Sequence, residues 1–267
     1  MKSLIRYGVI TYAVILGACS SSTDANMATP LLNADVATIT ADAASEDVEM
    51  MREPVLFTFL APTLAIGNGD LNPTNCPLNP ATQRLVCPAI TRNGTLTVSR
   101  SYAFFDAANA SQQAYDALLT ARANIVTDIE GSASGEHWSA TVDRHRDLNV
   151  TGLAGTETQR TWNGTGTSSA TRSRHNDEGA ERSYDIDCAL TIAGVVVPVP
   201  NGTPRFPLSG TITRQCRVTF NGGPRDGQTV ERTAVMTFNG TSTATLTVGD
   251  KTFDVDLTNR HRGPPRP

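Results

Sequence analysis

The sequence predicts an all-β protein, a large antiparallel meander curled into an open or partly closed β-barrel. Three observations carry this. From Arg84 onward, Thr and Val alternate with polar residues at the period of two that lines one face of a strand. The large apolar residues share parity within each run: Leu96, Val98, Tyr102 and Phe104 with Arg100 among them, then Tyr184, Ile186, Cys188, Leu190 and Ile192, then Ile212, Cys216, Val218 and Phe220. Asn-Gly pairs, both of whose residues tolerate positive φ, recur at Asn93-Gly94, Asn163-Gly164, Asn201-Gly202, Asn221-Gly222 and Asn239-Gly240 and offer hairpin turns. A two-layer β-sandwich is the alternative architecture.

In chain order, residues 1–18 read as a secretory signal: Lys2 and Arg6, an apolar run from Val9 to Leu16, then the small residues Gly17 and Ala18 before Cys19. The run is too short for a permanent spanning helix. Residues 19–53 are rich in Ala, Ser, Thr and acids, with few large apolar groups to offset ordering entropy, and are expected to form a disordered acidic tether. A short helix around Asp47 to Arg52 is the one regular element expected in it. Residues 54–258 form a single β domain that opens with a strand at Val55 to Leu60. Gly67 to Pro80 is a loop in which Asn68, Asp70 and Asn72 alternate like part of a calcium loop; Pro73 stands where that motif needs Gly and no Glu closes it.

Residues 111–126 carry two patterns. Tyr115, Leu118, Leu119, Arg122 and Val126 fall at helical spacing, while Tyr115, Ala117, Leu119, Ala121, Ala123 and Ile125 alternate as in a strand. Asp106 to Ala110 reads as a turn and strands surround the segment, so a hairpin is preferred and one helix against the sheet is the alternative. The last strands, Thr229 to Phe238, Thr241 to Val248 and Thr252 to Leu257, make a meander around Gly249-Asp250, and residues 259–267 are a frayed tail.

Leu16-Gly17-Ala18-Cys19 closely resembles the lipobox of bacterial lipoproteins. That resemblance implies a diacylglycerol on the Cys19 thiol, cleavage just before it, and anchoring by acyl chains. Ser20 and Ser21 follow without an Asp, which in enterobacterial lipoproteins directs the chain to the outer membrane. The expected localisation is therefore the bacterial cell envelope, lipid-anchored, at the outer membrane. The repeated strand and Asn-Gly-Thr pattern resembles lipoproteins of GC-rich environmental bacteria, a likeness that brings no activity with it.

The net charge is -4, and more negative without Lys2 and Arg6, which argues against a general nucleic-acid binder. Lys2 and Lys251 are the only lysines, which reads first as codon bias and second as selection for bidentate anion contacts. Cys76, Cys87, Cys188 and Cys216 form an even set in an oxidising compartment. Cys76 with Cys87 and Cys188 with Cys216 is the expected pairing, since each pair brackets a turn-rich stretch and the second pair shares the apolar parity of its strands. A zinc site is disfavoured by the wide Cys spacing and the lack of a neighbouring His. No cofactor or metal is expected.

No nucleophile elbow, zinc-protease helix or phosphate loop occurs. The carboxylate pairs Asp185/Asp187 and Asp254/Asp256 lie at i, i+2 on predicted strands, as on the solvent side of a half-buried sheet. The candidate ligand patch is cationic: Arg144, Arg146, Arg160, Trp162, Arg172, Arg174 and Arg182 fall on consecutive predicted strands, suited to a phosphate or carboxylate. The plainer account pairs these arginines with Asp143, Asp147, Glu157, Asp177, Glu178 and Glu181 across strands on a wet face. The expected function is that of a non-catalytic envelope lipoprotein binding a protein partner or envelope polymer. The alternative is a carrier of a lipid or small anionic ligand in the curled sheet, which requires an interior not filled by its own side chains. A hydrolase with an unrecognised site is the third reading.

Overall fold

The computed structural model describes residues 76–92, 95–135, 138–154, 157–175, 181–199, 206–222 and 226–258, and ten positions between 36 and 51. Lipobox Cys19, the Val55 to Leu60 strand, the Asn68 to Asn72 loop, Asn93-Gly94, Asn201-Gly202 and the 259–267 tail lie outside them.

One antiparallel sheet dominates. Its strands are β1 (Leu78–Asn79), β2 (Arg84–Arg92), β3 (Leu96–Asp106), β4 (Ser111–Gln112), β5 (Thr120–Gly135), β6 (Trp138–Thr151), β7 (Gln159–His175), β8 (Glu181–Pro198), β9 (Ser209–Asn221), β10 (Thr229–Thr237), β11 (Thr243–Val248) and β12 (Lys251–Asp256). Neighbours in sequence are neighbours in space, apart from β4, which pairs only with β3 while β3 passes on to β5. The sheet is open, with β1 and β12 at its ends. It is one curled layer, not the two of a sandwich. An antiparallel order of this kind can be joined by turns, because each strand returns beside the last.

Alternation sets which face is inside. Tyr184, Ile186, Cys188, Leu190 and Ile192 are buried while Asp185, Asp187, Ala189 and Thr191 between them are exposed. A one-residue slip would reverse every position, so the burial pattern pins the register. Bulges interrupt the ladder between Trp162 and Gly164, and between Ala193 and Val196, where they bend and twist the strands. At the second, Gly210 has φ +98° and a Cβ there would lie 2.3 Å from the Gly194 carbonyl oxygen. Only glycine lets the two backbones approach so closely.

The inner face is covered by α1, the helical residues from 36 to 51. Val36, Ala37, Ala41, Ala44, Val48 and Met51 belong to the same buried core as the strand residues. The expectation of a disordered tether through residue 53 is corrected over this stretch. Small side chains that cannot build a core alone bury well once a curved apolar sheet receives them. Thr40 is buried without cost because its Oγ1 donates to the Val36 carbonyl at 2.6 Å.

Residues 111–126 hold no helix, and the expected hairpin is corrected: β4 pairs with β3 on one edge and β5 pairs with β3 on the other, so the segment crosses from edge to edge instead of folding back on itself. Asp116 makes the turn, its Oδ1 accepting from the Leu118 and Leu119 amides at 2.8 and 3.1 Å, and β5 follows from Thr120. Asn163-Gly164 is not a hairpin turn; it lies inside β7 at the bulge, where Asn163 Oδ1 accepts from the Gly194 amide at 2.8 Å. Asn239-Gly240 does join β10 to β11, and Gly249-Asp250 joins β11 to β12.

Both expected disulfides are present, Cys76 to Cys87 and Cys188 to Cys216. Cys188 and Cys216 are direct cross-strand partners on β8 and β9. Replacing both by serine is expected to cost about 3.5 kcal/mol, from the loop-entropy relation for a separation of 28 residues. The midpoint of urea unfolding, read with and without reductant, checks this.

Candidate functional site

Inward parity places an arginine column where an apolar row would be routine. Arg100 on β3, Arg146 on β6, Arg160 on β7 and Arg214 on β9 are buried, and Arg144, Arg172 and Arg232 share the inner face as half-buried side chains. Buried arginine needs compensation. Among the described residues the one buried carboxylate is Asp47, carried by α1.

Asp47 is held from two strands. Arg146 Nε donates to its Oδ1 at 3.1 Å and Arg214 Nη2 donates to its Oδ2 at 2.5 Å. Arg146 and Arg214 occupy one cross-strand row, Arg146 opposite Gly166, Gly166 opposite Leu190, and Leu190 opposite Arg214. Three strand spacings of about 4.8 Å separate them on a flat sheet. Curling and long side chains bring both guanidinia to one carboxylate. Gly166 makes this possible: a Cβ there would lie 2.9 Å from Arg146 Cδ and 2.4 Å from the His145 carbonyl oxygen, so the arginine lies across a position that no side chain could share. Arg146 Nη1 also donates to the His145 and Thr167 carbonyls, both at 3.0 Å.

Burial opposes charge on Asp47, but Arg146 and Arg214 outweigh it and hold its carboxyl below the ordinary carboxylate range. Burial pulls Arg214 down to about 10 against the attraction of Asp47, so it stays charged at neutral pH.

The expected cationic patch is distributed, not gathered. Arg160 and Trp162 stand at one end of β7, Arg172 and Arg174 at the other, about 40 Å apart at strand rise. Arg160 Nη1 donates to the carbonyls of Gly152, Glu157 and Gln159. Trp162 faces Val150 and Val195 in register and is 1% exposed. Arg172 stands opposite Tyr184, and Arg174 opposite Arg182. Arg144 and Arg146 lie midway along β6. Asp143 and Asp147 are on the outer face, opposite in parity to Arg144 and Arg146, while Asp177 and Glu178 of the wet-face reading lie outside the described residues. Sequence reasoning missed Asp47 and Arg214. Arg214 was findable, because it sits between Ile212 and Cys216 with their parity.

The outer face is polar. A trough of about 750 Å³ crosses β6 to β10 and is lined by Asp143, Thr167, Asp187, Gln215, Arg217 and Glu231, among others. A second hollow of about 320 Å³, lined by hydroxyls such as Ser132, Thr141 and Thr171, opens on the same face. Asp187 and Glu231 flank Arg217 in register, with Arg217 Nη2 3.7 Å from Glu231 Oε1. His145 Nδ1 lies 2.7 Å from Asp128 Oδ1 on this face too. Asp185, Asp187, Asp254 and Asp256 are all exposed, as the solvent-side reading has it.

No family model matches this chain, and no curated protein or solved structure matches it. The site is therefore read from its own chemistry. Among the described residues no group of three metal-ligating side chains gathers, and no helix is long and apolar enough to cross a membrane.

Proposed function

We propose that the protein is a non-catalytic lipoprotein of the bacterial envelope, anchored through acylated Cys19, whose β domain binds an envelope polymer or protein partner along the outer trough. The observation that carries this reading is the trough itself. It presents carboxylates, hydroxyls, an amide and the arginines Arg217 and Arg232 along five strands. Such a lining offers donors and acceptors in alternation to an extended hydroxyl-rich or amide-rich chain, on a rigid sheet that loses little entropy on binding. A second reading, the carrier, draws no support from a standing cavity, since the inner face is filled by the chain's own side chains and α1.

The test is sedimentation of the full-length acylated protein with purified peptidoglycan sacculi, alongside pull-down from solubilised envelope. The wild type is expected to sediment or to retain a discrete partner. Asp143→Ala/Asp187→Ala/Glu231→Ala is expected to lose at least tenfold of that binding while keeping its melting temperature. Unchanged binding by the triple variant overturns the trough as the site. Failure of Cys19→Ala to release the protein from the membrane fraction overturns the anchor.

A further inference from the structure

We propose that Arg146 and Arg214 form the headgroup site for a long-chain carboxylate, and that Asp47 fills it as an internal ligand which such a carboxylate displaces together with α1. This site is separate from the outer trough.

Arg146 is held independently of Asp47. Arg146 lies across Gly166 and is fixed by two backbone carbonyls at 3.0 Å, so its direction does not depend on the helix. Arg214 reaches the same point from three strands away. Each oxygen of the carboxylate takes one guanidinium, the arrangement that any carboxylate would adopt between two arginines. Capacity is left over: Arg214 Nε, on a buried side chain, makes no hydrogen bond among the described residues. An Asp at the end of a short side chain on a helix backbone leaves this donor unused. A headgroup free of that tether has room to take the Arg214 Nε–H as well.

What surrounds the pair fits a tail. On the inner face Leu148, Leu190, Ile192, Ile212 and Leu246 are all nearly inaccessible. α1 meets them with small residues, Ala37, Ala41 and Ala44 among them. A polymethylene chain would bury against the same surface as α1, and each methylene adds to the ligand's side of the exchange. On the helix side, the buried ion pairs return little beyond their desolvation cost, so trading one carboxylate for another is close to balanced at the headgroup. The apolar contacts then decide occupancy, which sets the ligand class as an anionic amphiphile with one carboxylate.

The test uses the full chain with dodecanoate, and with dodecanol and dodecyltrimethylammonium as probes of equal tail length. Dodecanoate is expected to bind saturably and to speed amide hydrogen exchange in residues 36–51 at least tenfold, leaving β6 to β9 protected. Asp47→Asn, which keeps the side chain's shape, is expected to bind dodecanoate at least tenfold tighter than wild type. Arg146→Met/Arg214→Met is expected to bind dodecanol and dodecanoate alike. Absence of saturable dodecanoate binding to both wild type and Asp47→Asn overturns the proposal. So does equal binding of all three probes by the wild type. The wild-type exchange measurement stands by itself if a variant fails to fold.

Discussion

Replacing Asp47 by alanine weakens the docking of α1 by about 3–5 kcal/mol, the cost of leaving a buried partner uncompensated. Two guanidinia lose their shared counter-charge at once, in a place where both side chains are only 3% exposed. The triple replacement Asp47→Leu/Arg146→Met/Arg214→Leu removes the whole charged set, and its stability is expected to equal or exceed that of the wild type by about 1–4 kcal/mol. Urea unfolding of the single and triple variants measures both. A single variant as costly as the triple would show that packing of the helix, not the charge triad, sets the loss. The pH dependence has a definite sign. The carboxyl of Asp47 titrates lower in the folded state than in the unfolded chain. Its contribution is therefore complete above about pH 4 and is lost as the pH falls through the depressed folded value. In the Asp47→Asn variant that part of the acid transition is absent.

Trp162→Ala is expected to cost about 3–5 kcal/mol, the range for truncating a large buried aromatic. Trp162 is 1% exposed and sits beside the β7 bulge between Val150 on β6 and Val195 on β8, so a cavity there has three strands as its walls. Strands locked in a continuous ladder on both sides cannot close over it. Trp162→Phe is expected to cost much less than the alanine variant, because phenylalanine keeps most of the ring volume and removes an indole N–H that is buried without a hydrogen-bond partner among the described residues. Chemical denaturation of the two variants decides it; equal losses would contradict the role given to the unpaired N–H.

The strands were legible because their physics is local. Alternation in Tyr184 to Ile192 and in Ile212 to Phe220 reports which side is dry, and it put Cys188 and Cys216 on one face before any pairing was known. The helix was legible only near its end, around Asp47 to Arg52, for the opposite reason. Residues such as Ala37, Ala41 and Ala44 have little surface to bury, and their composition matches that of a solvated segment. Only a sheet curved to their shape, formed by strands that run from Leu78 to Asp256, makes them core. The same dependence hid the ion triad: Arg214 lies 167 residues from Asp47. Asn163-Gly164 misled as a hairpin because its backbone freedom suits a bulge as well as a turn, and the long ladder of β7 with β6 and β8 decided between them. The arginines of the expected patch fall on adjacent strands, but parity, once applied to Arg144, Arg146, Arg160 and Arg172, points them inward.

α1 is part of the domain, held inside the curled sheet by Asp47 between Arg146 and Arg214. Native-state hydrogen exchange of residues 36–51 in the full-length protein at neutral pH tests it most directly. Protection within a factor of about ten of the β6 to β9 amides is expected, falling sharply in Asp47→Ala. Exchange of those amides at the rate of an unstructured peptide in the wild type would contradict it.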